Sequence, residues 1–173
     1  MSYSHWQYFI AIESDLEKTV RYVEMAQDNF QTYSIEFARI LLSASSEVDV
    51  ISKLICQRLN SNVSYKNIDD YRQCILSQYP KFPFFEVTIP RYGLTRKPWL
   101  DWNSGKNPSW WKSYNNVKHE KNNFFEEANL ASALDSVAGL FCIVLAFDHD
   151  LTKTFPWTKL LHIEEHIMVS TVF

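Results

Sequence analysis

The sequence predicts a mainly α-helical, up-and-down bundle of four to five helices in one domain spanning 1–173, with a small β-hairpin or irregular insertion around 84–104. Three observations lead there. Phe37, Leu41, Ala44, Val48, Ile51, Ile55 and Leu59 recur at three- and four-residue spacing, the mark of a long helix with one packed face. The stretch after Leu134 is apolar nearly all round, as expected of a helix in the middle of a bundle. Only 3 glycines occur in 173 residues, too few for many tight-turned strands.

Taken in order, Met1–Ile12 is rich in aromatics and reads as a packed lead-in. Ser14-Asp-Leu-Glu17 fits a capping box, which predicts a first helix carrying Leu16, Val20, Val23 and Met25. The polar run Gln27–Thr32 ends it, and the second helix runs from about Ser34 to Leu59. Glu47 interrupts one of its apolar stripes, so its carboxylate sits at the stripe's edge or in a structural pair. Asn67 caps a short third helix through Gln78, and Pro80 and Pro83 follow. Alternation at Phe85, Val87 and Ile89, with Gly93 at a turn, predicts the hairpin, and its prolines confine it to an edge.

The fourth helix is expected over Asn107–Lys121, with Asn107 as cap and Pro108 in the first helical position. Glu120–Asn123 interrupts it. Asn123 with Glu126 caps the fifth, central helix, and Asp148 stops that one. The tail beyond is ambiguous, although Ile167–Phe173 is rich in β-branched residues.

Composition excludes several classes of function. No GxGxxG or GxxxxGK[ST] pattern occurs, so dinucleotide- and phosphate-loop chemistry is not indicated. Cys56, Cys74 and Cys142 lie in apolar runs without CxxC spacing, which predicts reduced thiols, a cytoplasmic location and no zinc. His162-Ile-Glu-Glu-His166 is not HExxH and shows no third ligand. The N-terminus lacks a signal-peptide pattern, and the run Val137–Phe147 is too short to span a bilayer, so no membrane partner is expected.

Charge is distributed unevenly. Residues 91–121 hold Arg91, Arg96, Lys97, Lys106, Lys112, Lys118 and Lys121 against Asp101 and Glu120, a local excess of five positive charges in a chain of net −3. Trp99, Trp102, Trp110 and Trp111 lie in the same stretch. Cations interleaved with aromatics suit single-stranded RNA or DNA, which makes Arg91, Arg96, Lys97, Lys112, Lys121, Trp110 and Trp111 candidate RNA contacts. The alternative is that these tryptophans anchor the core and the lysines are ordinary solvated surface. Tyr114, Asn115, Lys118 and His119 fall within about a turn and a half of helix, so phenol, amide, ammonium and imidazole converge there.

Trp110-Trp-Lys-Ser-Tyr-Asn-Asn-Val-Lys-His119, followed by an apolar helix, resembles the HEPN superfamily of helical bundles. Ser45-Ser-Glu-Val-Asp49 with Lys53, and Tyr33-Ser-Ile-Glu-Phe37, are similar to the matching helix of bacterial members. The resemblance covers roughly 14–147. It implies a metal-independent endoribonuclease of toxin or phage-defence type, without cofactor, acting as a homodimer and paired with a partner protein or antitoxin. The family motif is Arg-polar-x3-to-5-His. His119 and Asn115 match the histidine and the polar residue, whereas Tyr114 stands where the arginine would be.

That departure weighs on the chemistry. Cleavage needs an acid/base, which His119 supplies, and positive charge on the phosphorane-like oxygens. With tyrosine in place of arginine, Lys118 or Lys112 must supply the charge, without a bidentate fork. Glu47 and Lys53 are accessory positions. Two further readings are a catalytically inactive bundle that binds nucleic acid or protein, and a module in which Asn115 and His119 close a buried polar network.

Overall fold

The computed structural model describes residues 4–148 and 156–163. Two helices form its centre. α2 (Ile35–Leu59) starts where the Ser34 hydroxyl accepts from the Phe37 amide at 3.1 Å, and it buries Phe37, Ile40, Leu41, Ala44, Val48, Ile51 and Ile55. α5 (Leu130–Phe147) lies along it, and every side chain from Ser136 to Ala146 is buried. Burial of each Leu, Ile, Val or Phe here contributes about 1.5–3 kcal/mol, so a charge at Leu140 would break the bundle at its middle. α5 has the length and composition of a membrane span, yet 78% of it is buried inside the bundle, where its apolarity serves the core.

Three more helices pack around this pair. α1 (His5–Thr19) begins nine residues ahead of the expected Ser14 start, capped by Ser4, whose hydroxyl accepts from the Gln7 amide at 3.2 Å. The lead-in is helical because Trp6, Phe9, Ile12 and Leu16 share one face, which packs on α2 and α5. Ser14 is therefore mid-helix, and Met25 reaches the core from beyond the helix end. α3 (Ile68–Gln78) is capped by Asn67 as expected, its side-chain oxygen accepting from the amides of Asp69 and Asp70, and it packs on α2. α4 (Ser109–Phe124) packs on α5 and α2.

Two expected caps move. Pro108 occupies the cap position of α4, and the Asn107 oxygen accepts instead from the Arg72 guanidinium at 2.8 Å. Asn129, not Asn123, caps α5, its oxygen accepting from the Ser132 amide at 3.0 Å. Phe125–Glu127 forms a 3-10 turn, held when the Asn116 amide reaches both oxygens of Glu127, so α5 starts later. The polar break at Glu120 appears as a kink (φ −137°, ψ 48°) within α4.

The insertion is a hairpin of β1 (Val87–Ile89) and β2 (Leu94–Arg96), antiparallel, with Thr88 opposite Thr95. Gly93 turns it at φ +62°. Residues 156–163 close its open edge, Thr88 and His162 exchanging backbone hydrogen bonds of 2.8 Å. That segment is held from the other side by Glu13. Its carboxylate is 2% exposed and accepts from the amides of Lys159, Leu160 and Leu161 at 3.0–3.1 Å.

Candidate functional site

The tryptophans settle first, because they decide what the basic stretch can present. Phe82, Trp99, Trp102, Trp110, Trp111 and Tyr114 form a continuous chain of ring contacts, with centroids 4.3–5.7 Å apart. Trp99 donates from Nε1 to the Gly139 carbonyl at 3.1 Å, and Trp110 donates to the Pro98 carbonyl at 2.8 Å. The chain pins the insertion and α4 onto α5. Trp110 and Trp111 are thus buried and occupied by protein neighbours, a correction to their expected role as base-stacking platforms.

The hairpin cations are also occupied. Arg96 makes a bidentate pair with Asp135 on α5, Nε to Oδ1 at 2.5 Å and Nη2 to Oδ2 at 2.6 Å, and lies 5.0 Å from the Phe30 ring centroid. Asp135 holds the guanidinium's pKa above its ordinary value by hydrogen bonding, against the opposing effect of burial. Lys97 pairs with Glu86 at 3.0 Å, and exposed Arg91 lies 4.0 Å from Glu17. Arg96 and Arg91 reach from the insertion to α5 and α1, Lys97 pairs within the insertion, and Arg96 in particular is a structural residue where an RNA contact was expected.

What remains is the outward side of α4. Lys112 and His119 lie seven residues apart, two turns, and so share one face; both are exposed. Lys118 stands at the margin of that face, its Nζ donating to the Tyr114 hydroxyl at 3.2 Å and lying 5.3 Å from the ring centroid. Lys121 follows just past the kink and is exposed. Among the described residues, no carboxylate pairs with Lys112, Lys118 or Lys121.

The four residues expected to converge do so only in part. Tyr114 and Lys118 touch, and His119 adjoins them in sequence. Tyr114 is buried, with only 6% of its surface exposed, against Trp111. Asn115 donates its amide to the Trp111 carbonyl one turn back, at 3.0 Å, so it orients neither His119 nor a closed polar network. The His119 imidazole has no hydrogen-bond partner among the described residues, so none of them fixes its tautomer.

Glu47 is in a structural pair, as one of its two expected settings had it. Its carboxylate meets Nδ1 of His5 at 2.6 Å, joining α2 to the start of α1, and the His5 ring stands edge-on to Phe147. Lys53 is exposed on α2. Sequence reasoning missed both this histidine and Glu13, because each lies far along the chain from its partner. The described residues hold no group of three or more His, Cys, Asp or Glu side chains placed to bind a metal, and His166 lies outside them. No family profile, curated protein or solved structure matches the chain.

Proposed function

We propose that this chain is an HEPN-like helical module that binds RNA through the outward face of α4, with Lys112, Lys118 and Lys121 as phosphate contacts and His119 among them. One observation carries the reading. Among the described residues these lysines have no carboxylate partner, whereas the cations of the hairpin spend their charges on Glu17, Glu86 and Asp135. With Trp99, Trp102, Trp110 and Trp111 buried, recognition on this stretch rests on phosphate charge and not on stacking, which favours binding without sequence preference. The reading also places the protein in the cytoplasm, where RNA is available.

The test is RNA binding by fluorescence anisotropy across a salt series. Three lysine contacts on a single strand correspond to a slope of about −2 in log K against log salt. The Lys112→Gln/Lys118→Gln/Lys121→Gln triple variant should lose most of the slope, while Arg91→Gln/Lys97→Gln should keep it. Equal losses in the two variants, or no binding by the wild type, would refute the assignment.

A second reading, metal-independent RNA cleavage, is favoured by one contact. Lys118, whose Nζ donates to the Tyr114 hydroxyl, directly precedes His119 in the chain, so a cation and an imidazole are sequence neighbours on α4. A single imidazole supplies one proton-transfer group where the reaction needs an acid and a base. A homodimer bringing two His119 side chains together would complete the pair. Cleavage of total RNA in EDTA by the wild type, abolished in His119→Ala, would establish this reading over simple binding.

A further inference from the structure

Residues 156–163 occupy a seat between α1 and the outer edge of β1. The Thr158 hydroxyl donates to the Leu161 carbonyl at 2.5 Å, closing a turn that aims three successive backbone amides at one point. Glu13 stands at that point. Its Oε2 accepts from the Lys159 amide at 3.1 Å, and its Oε1 from the Leu160 and Leu161 amides at 3.0 Å. Past the turn, Thr88 of β1 and His162 exchange two backbone hydrogen bonds of 2.8 Å. At the other end Trp6 donates from Nε1 to the Pro156 carbonyl at 3.0 Å. Leu160, Leu161 and Ile163 are buried in the seat.

Two features make this segment removable. Glu13 lies on the packed face of α1 and gives up its hydration only because the segment's amides replace it, so dehydrating the carboxylate offsets much of what the three bonds return. A leucine at that position would have packed the helix without any such dependence. The segment also leaves the framework intact when it goes. β1 holds its register with β2 by itself, and α2, α5 and the ring chain from Phe82 to Tyr114 include none of its residues.

We propose that residues 156–163 are a displaceable strap, and that the seat beneath them is a strand-addition site for an extended segment of a partner protein. The strap itself defines that ligand. It is a proline-free run with three consecutive amides for Glu13, then a residue that pairs with Thr88 through its own N–H and C=O. Apolar side chains fill the places of Leu160, Leu161 and Ile163. Main-chain bonds hold the ligand, and the apolar places select its sequence. The strap competes from within the same chain, so the seat's apparent affinity falls with the fraction of time the strap is closed. The strap acts independently of the RNA reading, which concerns α4.

The probe is a fluorescent peptide of the strap's own sequence, Thr-Lys-Leu-Leu-His-Ile, titrated by anisotropy into the full-length chain. Leu160→Asp/Leu161→Asp disables the strap and leaves the seat intact, and should bind the peptide at least about tenfold tighter than the wild type. In that background Thr88→Pro, which removes the N–H facing the strap, should abolish binding, and so should N-methylation of the peptide's two leucine amides. In the wild type, hydrogen exchange should show the amides of 159–162 and Thr88 opening together, about a hundredfold more often than those of α2 and α5. Equal affinity for the wild type and the strap variant would overturn the proposal. So would no binding by a strap variant whose helices are intact by circular dichroism, or binding that survives N-methylation. A strap variant that unfolds, or strap amides that exchange as slowly as those of α2, would overturn it too, because the segment is then part of the core. Dimerisation of the wild type through exchanged straps, seen by sedimentation, would make a second copy the occupant and overturn the assignment to a partner.

Discussion

Replacing Gly139 by alanine tests the packing of the tryptophan chain where it meets the central helix. In an exposed helix interior, Gly→Ala stabilises by about 1 kcal/mol, through propensity and the restricted unfolded chain. At Gly139 the added Cβ would lie 2.8 Å from Cζ2 of Trp110 and 3.4 Å from two further atoms of that ring. The ring is rigid and fixed by its hydrogen bond to the Pro98 carbonyl and its contacts with Trp99 and Trp111, so it cannot swing aside as a flexible side chain would. Overpacking of this kind costs about 2–3 kcal/mol. Setting the two effects against each other leaves a net loss of about 1–2 kcal/mol, or a melting temperature lower by roughly 2–8 °C. Denaturant and thermal unfolding of Gly139→Ala measure it. A double-mutant cycle with Trp110→Phe locates it, because the smaller ring should remove most of the alanine's cost. An alanine variant as stable as the wild type, or more so, would refute the close approach of Trp110 to α5.

Three further outcomes follow from other contacts. Glu13→Ala leaves the amides of Lys159, Leu160 and Leu161 without their acceptor; it should cost roughly 2–5 kcal/mol, and hydrogen exchange should show those amides losing protection. Arg96→Ala and Asp135→Ala should be non-additive by about 1–3 kcal/mol in a double-mutant cycle, since the pair is bidentate and largely shielded from solvent, and additivity would reduce it to a surface contact. Burial raises the Cys142 thiol's pKa far above its ordinary value of about 8.5, so the thiol stays protonated when folded but ionises when unfolded. Stability from this group is fully present below about pH 8.5 and falls by about 1.4 kcal/mol per pH unit above it; Cys142→Ala should flatten that alkaline decline in urea titrations at pH 8, 9 and 10.

Helical periodicity was readable wherever one apolar face dominated. The α2 stripe, the all-apolar α5 and the Asn67 cap of α3 all emerged at or near their observed positions, because each is decided by residues a few places apart. The start of α1 was missed for a related reason. Its aromatic positions, Trp6 and Phe9, lie on a helical face, but the capping pattern at Ser14 offered a competing start that tertiary burial overruled. The cap at Asn107 failed because that side chain finds Arg72, far along the chain, and the cap at Asn123 failed because Asn123 still lies within α4, its amide donating to Glu120 three residues back at 3.2 Å. The basic, tryptophan-rich stretch was visible as a composition, but its use was not. Whether a lysine or arginine is free or paired depends on carboxylates from Glu17 to Asp135, which no local window contains.

That division between free and paired cations limits the affinity to expect. The chain outside 91–121 carries a net −8, so a polyanion approaching α4 meets an attractive patch on a repulsive body. At about 0.15 M salt the Debye length is roughly 8 Å; the distant carboxylates are screened while lysine–phosphate contacts persist. At about 0.01 M it is roughly 30 Å, comparable to the size of a small domain, and the repulsion is felt in full. Affinity should therefore rise less steeply toward low salt than the count of contacting lysines alone requires, and the logarithmic plot should flatten below about 0.05 M. A plot that stays straight with a slope well beyond −2 would show that more cations than Lys112, Lys118 and Lys121 touch the RNA. The hairpin would then have to release Arg91 and Lys97 from their carboxylates on binding, and neutralising Glu86 or Glu17 should strengthen the complex.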